Sequence, residues 1–314
     1  MRRDQGGSSI QGRNEAYSGA CISMRLKQRR NALRRRFPHR AIHDGAGKGR
    51  ECSICCATIE QERSPRARLR AKGWISMASQ SAIEWTNSTW NPTTGCTKVS
   101  EGCDHCYAER FAERWRGIPG NYFQSGFDLQ LRPNMLDRPA QWRARRLIFV
   151  NSMSDLFHAD VPDGYIDEVF LRMESIDRHI YQVLTKRPER MRRYVRKRYG
   201  PGQMAPPQIW FGTSVESNRY AWRVDMLREV NAAVRFLSVE PMIGSIDEVR
   251  LDGIAWVIVG GESGPGKRPM NPDWVRQVRD RCIAGDVAFF FKQWHKANTG
   301  RELDGRTWDQ MPIY

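Results

Sequence analysis

The chain has 314 residues, of which 40% are hydrophobic and 10% aromatic, and its formal net charge is +16. This apolar content is sufficient to bury a core, which excludes a wholly disordered chain. No run of about 18 apolar residues could span a membrane and no apolar secretory signal opens the sequence, so we expect a cytoplasmic protein.

Residues 1–76 differ from the rest of the chain in charge and pattern. They hold eighteen Lys/Arg against six Asp/Glu, which is +12 of the total charge, and they show neither helical nor strand periodicity. We expect no packed core here. Three explanations stay open: translation starts at Met77 and the upstream text is not native, a basic tail binds nucleic acid, or the segment is an Arg-rich targeting sequence. The predicted folded domain is 77–314.

The stretch "TTGCTKVSEGCDHCYAER", residues 93–110, places three cysteines within eleven positions. It follows a predicted first strand near "STWNPTTG" and opens a predicted helix, "CDHCYAERFAERW", whose positive N-terminal end stabilises thiolates. A structural zinc site or an ordinary iron–sulfur cluster takes four protein ligands, so one is missing. Three thiolates from Cys96, Cys103 and Cys106 can hold a [4Fe–4S] cluster and leave one iron open.

From about residue 83, strand-like apolar runs alternate with amphipathic helical stretches. The predicted strands are 145–155, 179–188, 208–217, 233–241, 253–264 and 287–294, and the predicted helices between them include 163–176, 188–200, 217–230 and 271–282. Continuously apolar strands separated by helices indicate a parallel sheet whose outer face is covered. The sequence therefore predicts an α/β fold, a βα-repeat barrel or partial barrel.

Nearly every predicted strand ends in polar side chains that are capable of chemistry. They are Asn151, Ser152, Ser154, Asp155, Thr185, Lys186, Arg187, Thr213, Ser214, Glu216, Glu240, Glu262, Ser263, Lys292 and Gln293. The carboxyl ends of parallel strands form the rim at which α/β folds place their sites, so we expect these side chains to converge on one mouth. The cations Lys186, Arg187 and Lys292 suit a phosphate-bearing substrate. The alternative is a rim that is polar only because it meets solvent.

The stretch "GESGPGKR", residues 261–268, nearly fits the phosphate-binding pattern GxxxxGK[ST]. Arg268 replaces the Ser/Thr that binds magnesium, and no helix is predicted to follow at once. The glycines also permit close approach of the backbone to a ligand, with Glu262 presenting a carboxylate to an amino group. Nucleotide hydrolysis that depends on Lys267 stays open as an alternative.

Seven motifs follow one another in order over residues 83–295: "TWNPTTGCTKVSEGCDHCYAER", "FVNSMSDLFH", "LTKRP", "FGTSVE", "LSVEPMIG", "VIVGGESG" and "FFKQW". Together they resemble a phage-associated family of unknown function that is related to the radical S-adenosylmethionine (radical SAM) superfamily. The resemblance implies a partial (β/α)6 barrel in which Cys96, Cys103 and Cys106 hold a [4Fe–4S] cluster and SAM chelates the fourth iron. It further implies an external electron donor and a 5′-deoxyadenosyl radical that abstracts hydrogen from a substrate.

The motif departs from the superfamily in two respects. The usual spacing is CxxxCxxC with an aromatic residue before the last cysteine, whereas here the first gap is three residues longer and His105 fills the aromatic position. Loops accept such insertions at small entropic cost. We expect the imidazole of His105 to lie against the adenine of SAM.

The resemblance and the strand positions together assign the remaining site residues. The predicted SAM-binding residues are His105, Asn151, Ser152, Ser154 and Asp155 for the adenine and methionine parts, Ser214 and Glu216 for the ribose or the substrate, and the late "GGE" of Gly260, Gly261 and Glu262. Glu240 and Lys292, at later strand ends, are the predicted catalytic residues. The cofactor supplies the radical chemistry and the protein supplies orientation and exclusion of water.

The predicted function is therefore that of a radical SAM-like enzyme acting on a nucleotide or nucleic acid, for which Trp294 offers a stacking surface. Two alternatives stay open. One is a zinc-stabilised nucleic-acid-binding protein without catalysis, in which His105 or His158 is the fourth ligand. The other is a phosphate-loop nucleotide hydrolase.

Overall fold

The computed structural model describes residues 81–294 and 300–313. The extension predicted over residues 1–76, together with the proposed start at Met77, lies outside the described residues. Within the described ranges, no helix is both long and apolar enough to cross a membrane.

A seven-stranded parallel sheet, curled into a half-barrel with helices around it, forms the body of the described chain. In chain order the strands are β1 Ser88–Trp90, β2 Thr93–Thr94, β3 Gln130–Leu131, β4 Leu147–Val150, β5 Ile180–Thr185, β6 Ile209–Ser214, β7 Arg235–Val239, β8 Trp256–Gly260, β9 Ala288–Gln293, β10 Glu302–Leu303 and β11 Arg306–Thr307. The sheet order is β1-β4-β5-β6-β7-β8-β9, and its neighbours pair in parallel. Each of the six apolar runs predicted as strands is a strand of this sheet, which confirms the predicted fold class.

The helices lie between consecutive strands of the sheet, as the βα pattern predicted. They are α1 Tyr107–Glu113, α2 Asp163–Ser175, α3 Pro188–Tyr199, α4 Trp222–Arg228 and α5 Pro272–Ala284, with 3₁₀ turns at Glu101–Cys103, Pro133–Met135, Pro139–Gln141 and Asn218–Tyr220. Proline at the first position begins both α3 and α5, because its missing N–H has no partner there in any case. The side chain of Asn271 caps α5 by accepting from the backbone N–H of Asp273.

The helix predicted to begin at Cys103 begins later. Cys103 closes the 3₁₀ turn that starts at Glu101, and Cys106 is the N-cap of α1. The two cysteines therefore lie on successive turns of different kinds rather than on one regular helix.

Side chains along the central strands alternate between two apolar layers, as the two-residue period of a strand requires. The outer layer packs against the helices, for example through Phe211 and Phe289 against Val224 and Val278. The inner layer, which fills the concave side, contains Trp85, Phe149, Ile180, Trp210, Val234, Phe236, Trp256, Ile258 and Phe290.

Aromatic rings fill the inner layer near the amino ends of the strands. Trp256 lies among them, with its ring centroid 6.0 Å from that of Trp85, 6.2 Å from Trp210 and 6.2 Å from Phe290. Further along the strands the inward residues become smaller or polar, at Leu184, Ser214 and Ser238. The carboxyl end of the half-barrel is therefore not filled by side chains, and a cavity opens there.

Candidate active site

A cavity of about 540 Å³ lies at the carboxyl end of the sheet. It is lined in part by residues 96–106, which carry the three cysteines and which we call the cysteine loop. All the predicted site residues line it except Glu216 and Gly260. Its apolar wall includes Trp85, Phe149 and Leu184 from the inner layer. The polar strand ends thus share one mouth, as their positions at the ends of parallel strands led us to expect.

Cys96, the first cysteine, is held by Arg187, which follows β5. The guanidinium Nη1 donates to Cys96 Sγ at 3.4 Å and to Asp155 Oδ2 at 3.1 Å, while Nη2 donates to the Thr97 carbonyl at 3.0 Å. Burial raises the pKa of the Cys96 thiol to about 11, and the charge of Asp155 adds to this, against the opposing effect of Arg187. Without a bound cation this thiol is neutral at pH 7.

Asp155 serves this anchor and does not point free into the cavity. Its carboxylate accepts hydrogen bonds from Thr185 Oγ1 at 2.7 Å and from the backbone N–H of Lys186 at 3.0 Å, in addition to that of Arg187. Because its oxygens are occupied in this way, the contact with the methionine part of SAM predicted for Asp155 is not available to its side chain in this arrangement.

The middle of the cysteine loop rests on Glu216, which is fully buried. Its carboxylate accepts from Ser100 Oγ at 2.8 Å and pairs with Arg223 Nη1 at 2.8 Å and Lys186 Nζ at 3.2 Å. Burial alone would raise the pKa of Glu216, but the charges of Lys186 and Arg223 hold it below its usual value. A Cβ at Gly102 would lie 2.5 Å from this side chain, so the loop packs closely onto it.

Glu216 therefore lies behind the loop and not in the cavity, contrary to the contact with the ribose or the substrate predicted for it. It follows Ser214, the last residue of β6, and the chain turns there, so the alternation that places Ser214 inward does not extend to Glu216.

Cys106, the third cysteine, has its sulfur at the N-terminus of α1. The backbone N–H groups of Ala108 and Glu109 lower the pKa of its thiol, although the side chain makes no capping hydrogen bond. Burial raises the pKa of the Cys106 thiol, and the nearby Cys103 raises it further against the effect of these donors. Cys103 likewise raises the pKa of Cys96, which indicates that Cys103 lies within electrostatic reach of both.

A single metal ion does not fit the described side chains. No group of three or more His, Cys, Asp or Glu residues within 81–294 and 300–313 converges on one ion. Both ring nitrogens of His158 are occupied, Nε2 by Thr97 Oγ1 at 2.7 Å and Nδ1 by the backbone N–H of Asp160 at 3.2 Å. The zinc alternative with His158 as fourth ligand therefore has no support here.

A [4Fe–4S] cluster makes a different demand on its ligands. Its three protein thiolates bind three different iron atoms and need not converge on one point. Cys96, Cys103 and Cys106 line the same cavity, and Arg187 and Lys186 place positive charge beside them. Such cations and backbone donors stabilise a cluster of thiolates.

In the "GGE" sequence, Gly260 ends β8, and Glu262 connects the loop that follows to the cysteine loop. This carboxylate accepts from the backbone N–H of Arg268 at 2.9 Å and from its guanidinium, and it pairs with His105 Nδ1 at 2.9 Å. Although burial opposes it, these hydrogen bonds lower the pKa of Glu262 to about 2. Arg268 Nη2 also donates to the Glu101 carbonyl at 2.8 Å, so one arginine joins both loops.

The phosphate-loop alternative requires a helix directly after the glycine-rich loop. The chain from Gly261 to Asn271 is irregular, and α5 begins only at Pro272. The structure therefore lacks the strand–loop–helix arrangement of a phosphate loop.

The polar residues after β4 fasten the segment that follows β1. Asn151 adopts a left-handed backbone conformation with φ of 62°, and its Nδ2 donates to Thr93 Oγ1 at 2.8 Å. Ser154 Oγ lies 2.7 Å from the same hydroxyl, and Ser152 Oγ bonds with the side chain of Asn91. These side chains line the cavity, but much of their hydrogen bonding is internal.

Glu240 and Lys292 pair across the cavity wall, with Lys292 Nζ donating to Glu240 Oε1 at 2.5 Å. Gly260, on the strand between them, does not line the cavity itself. A Cβ at this position would lie 3.3 Å from Glu240 Cδ and 3.5 Å from Lys292 Cβ. Its lack of a side chain lets the pair form.

Two expectations, one about charge and one about stacking, need correction. The rim cations do not leave an excess of positive charge, since Lys186, Arg187 and Lys292 are each paired with a carboxylate. Trp294 is not a cavity wall, because it packs on Phe291 with 4.8 Å between centroids and donates to the Glu302 carbonyl.

Several residues that build the site had no role in the sequence predictions. They are Asn91, Thr93, Ser100, Arg223, Ser238 and Arg268. All lie within or beside motifs quoted from the sequence, but nothing in a linear motif shows which side chain its neighbours will bind.

Comparison with known proteins places the chain in a family. No curated protein matches it. Among solved structures, spore photoproduct lyase complexed with dinucleoside spore photoproduct matches with a TM-score of 0.41 and 12% identity, over 66% of this chain and 64% of that chain. A spore photoproduct lyase mutant with bound AdoMet and dinucleoside spore photoproduct matches with the same TM-score, identity and coverage, so this chain spans less than two thirds of either. The model of the family described as "Protein of unknown function (DUF5131)" matches residues 80–312, and the chain therefore belongs to that family.

Proposed function

We propose that this protein is a radical SAM-type enzyme in which Cys96, Cys103 and Cys106 hold a [4Fe–4S] cluster. The observation that carries the proposal is the placement of these three partly buried cysteines along one cavity at the carboxyl end of a parallel half-barrel. Three sulfur ligands leave one iron for a small chelating molecule, which we propose to be SAM. When bound, the cluster would supply the electron, taken from an external donor, that cleaves SAM reductively.

The anchors of the cysteine loop support this proposal. Arg187 fixes Cys96, Glu216 fixes the loop at Ser100, and the first turn of α1 receives Cys106. Side chains that hold metal ligands in place raise metal affinity, because the ligands need not be ordered at the moment of binding. A loop longer than the usual three-cysteine spacing needs such anchors more than a short one does.

The remaining cavity residues would bind SAM and exclude water. We propose that His105, held by Glu262, lies against the adenine, and that Ser214 reaches the ribose. Around the methionine part, the segment from Asn151 to Asp155 would offer mainly backbone groups, because its side chains are engaged elsewhere. Gly261 permits close approach of a ligand to the backbone.

The substrate would occupy the part of the cavity beside Glu240 and Lys292, the proposed catalytic residues, and the apolar wall would shield it from water. We propose a nucleotide or nucleic acid as substrate. Aromatic side chains near the cavity suit a flat base.

The test is anaerobic reconstitution of the full chain with iron and sulfide, followed by reduction with SAM present. We expect brown protein with about four irons per chain and formation of 5′-deoxyadenosine, because a site-differentiated cubane cluster contains four irons. Cys96→Ala, Cys103→Ala and Cys106→Ala should each lose both. Cys282→Ala is the matched control, since Cys282 is buried in the outer layer and lies away from the cavity.

Two results would contradict the proposal. Stoichiometric zinc without iron would favour the binding protein without catalysis. A second contradicting result is an equal loss of iron and of 5′-deoxyadenosine in Cys282→Ala and in the three cavity variants. It would show that Cys96, Cys103 and Cys106 are not the cluster ligands.

A further inference from the structure

The pair formed by Glu240 and Lys292 differs from the other charged groups of the cavity. Asp155, Glu262 and Arg187 each have several hydrogen-bond partners. Glu240 and Lys292, in contrast, have only each other among the described residues. One carboxylate oxygen and two ammonium N–H groups are therefore free to meet a ligand.

Ser238 adds a third polar group to the same wall. It lies two residues before Glu240 and faces inward at the end of β7, lining the cavity with its hydroxyl free of described partners. Ser238, Glu240 and Lys292 together form what we call the polar strip. The strip presents acceptors and donors side by side.

The surroundings of the polar strip restrict what can bind there. Side-chain exposure is 21% for Glu240 and 17% for Lys292, so water reaches them only through the cavity. Trp85, Phe149 and Leu184 provide apolar surface in the same cavity. Hydrogen bonds in such a partly desolvated site count for more than they do in water, and mismatched groups cost more.

The charges of the strip exclude several classes of ligand. A phosphate or carboxylate placed against it would meet the negative charge of Glu240, and an isolated cation would meet Lys292. A neutral group that donates to Glu240 and accepts from Lys292 satisfies both. The two side chains are 2.5 Å apart at their nearest atoms, which suits a donor and an acceptor on adjacent atoms of one planar ligand.

We infer that the polar strip binds the lactam edge of a nucleobase, a ring N–H beside a carbonyl, as in uracil, thymine or guanine. Glu240 accepts from the ring N–H, Lys292 donates to the carbonyl oxygen, and the base lies against the apolar wall. This assignment rests on the proposed function for its premise that the cavity is the substrate site. The substrate is then a nucleoside or nucleotide whose base contacts Glu240 and Lys292 through this edge.

The experiment compares nucleosides that have or lack the ring N–H. Binding of uridine and 3-methyluridine, and of guanosine and 1-methylguanosine, is measured by isothermal titration calorimetry on the full chain, as purified and after reconstitution with SAM. We expect methylation to weaken binding by at least about tenfold, because the methyl group meets the free oxygen of Glu240 and cannot donate a hydrogen bond to it.

Variants connect that loss to the two residues. In Glu240→Ala the penalty for methylation should shrink to less than about twofold, since the acceptor that senses the N–H is gone. Lys292→Met should weaken all four nucleosides by about tenfold through loss of the carbonyl contact. Glu229→Ala, at the exposed C-cap of α4, should leave the affinities for all four nucleosides unchanged, and circular dichroism checks that each variant is folded.

The inference is overturned if the methylated and parent nucleosides bind equally well, or if none of them binds at millimolar concentration. Neither result depends on cluster chemistry, so the two proposals fail separately. Methyl discrimination without 5′-deoxyadenosine formation would refute the proposed function alone. SAM cleavage by a protein that binds the methylated and parent nucleosides equally well would refute only the proposed contacts of Glu240 and Lys292 with the base.

Discussion

Replacing Glu216 with glutamine should both destabilise the fold and release the cysteine loop. The side chain is completely buried and carries the negative charge that Arg223 and Lys186 share. Glutamine has nearly the same size and keeps one acceptor for Ser100, so the change removes a charge and little else. The 2% exposed Arg223 would then be left without its ionic partner.

The size of the effect follows from that burial. Breaking a buried ion pair by removing one partner costs about 3–5 kcal/mol, because the remaining charge is left in a medium that solvates it poorly. Lys186 is 19% exposed and can recover some hydration, so the lower end, about 3 kcal/mol, is expected. The matched control is Glu229→Gln, whose side chain is 51% exposed and pairs with Arg192, and it should cost less than about 1 kcal/mol.

Urea denaturation measures both variants, and iron content after anaerobic reconstitution reports on the loop. Glu216→Gln should lower the midpoint and the iron bound, while Glu229→Gln should change neither. Adding Arg223→Met to Glu216→Gln should recover part of the lost stability, because the stranded charge is removed as well. Equal midpoints for Glu216→Gln and Glu229→Gln would show that the buried network does not hold the loop.

Two further substitutions test the packing and the electrostatics of the half-barrel. Gly212→Ala should cost about 1–3 kcal/mol in urea denaturation, since its Cβ would lie 2.5 Å from the Phe236 ring. Gly164→Ala, in a helix with open space around it, should be neutral or stabilising. Equal losses of stability in Gly212→Ala and Gly164→Ala would refute the clash with Phe236. The pKa of Glu262 is lowered from 4.5 to about 2, so its contribution to stability is present above pH 4.5 and is lost as the pH falls toward 2. The stability difference between the native protein and Glu262→Gln should shrink over that window, and a difference that stays constant would exclude Arg268 as the cause.

The sheet could be predicted because its strands are buried on both faces. Runs such as "AVRFLSVEP" and "VAFFFKQW" are mostly apolar, and β7 and β9 occupy their centres. The polar residues after these runs marked the carboxyl rim, and the cavity lies there. The order of the strands along the sheet follows the chain, so the rim could be assembled without knowing any long-range contact.

The pairing of side chains within the rim could not be predicted in the same way. Glu240 and Lys292 are 52 positions apart, and they meet beside Gly260, which lies on the strand between them. Glu216 was expected in the cavity because it lies at the polar end of a predicted strand. The strand ends before Glu216, so the alternation no longer tells which way the side chain points.

The start of α1 could not be predicted from the sequence either, although only neighbouring residues are involved. Cys103 and Cys106 have the spacing of neighbours on a helix face, but Cys103 belongs to a 3₁₀ turn and Cys106 is an N-cap. A 3₁₀ turn and the first turn of an α-helix have nearly the same sequence preferences, so the boundary between them is set by the contacts of Ser100 and Glu101 with other elements.

The rings of Trp210, Trp256 and Phe290 restrict how a polymer can enter the cavity. They fill the described half-barrel at the amino ends of its strands, so the cavity is closed at that end. A polymer therefore cannot pass between these strands from one end of the half-barrel to the other. A nucleic acid would therefore have to offer a terminus, or swing one residue out of its stack, before any of its atoms came within reach.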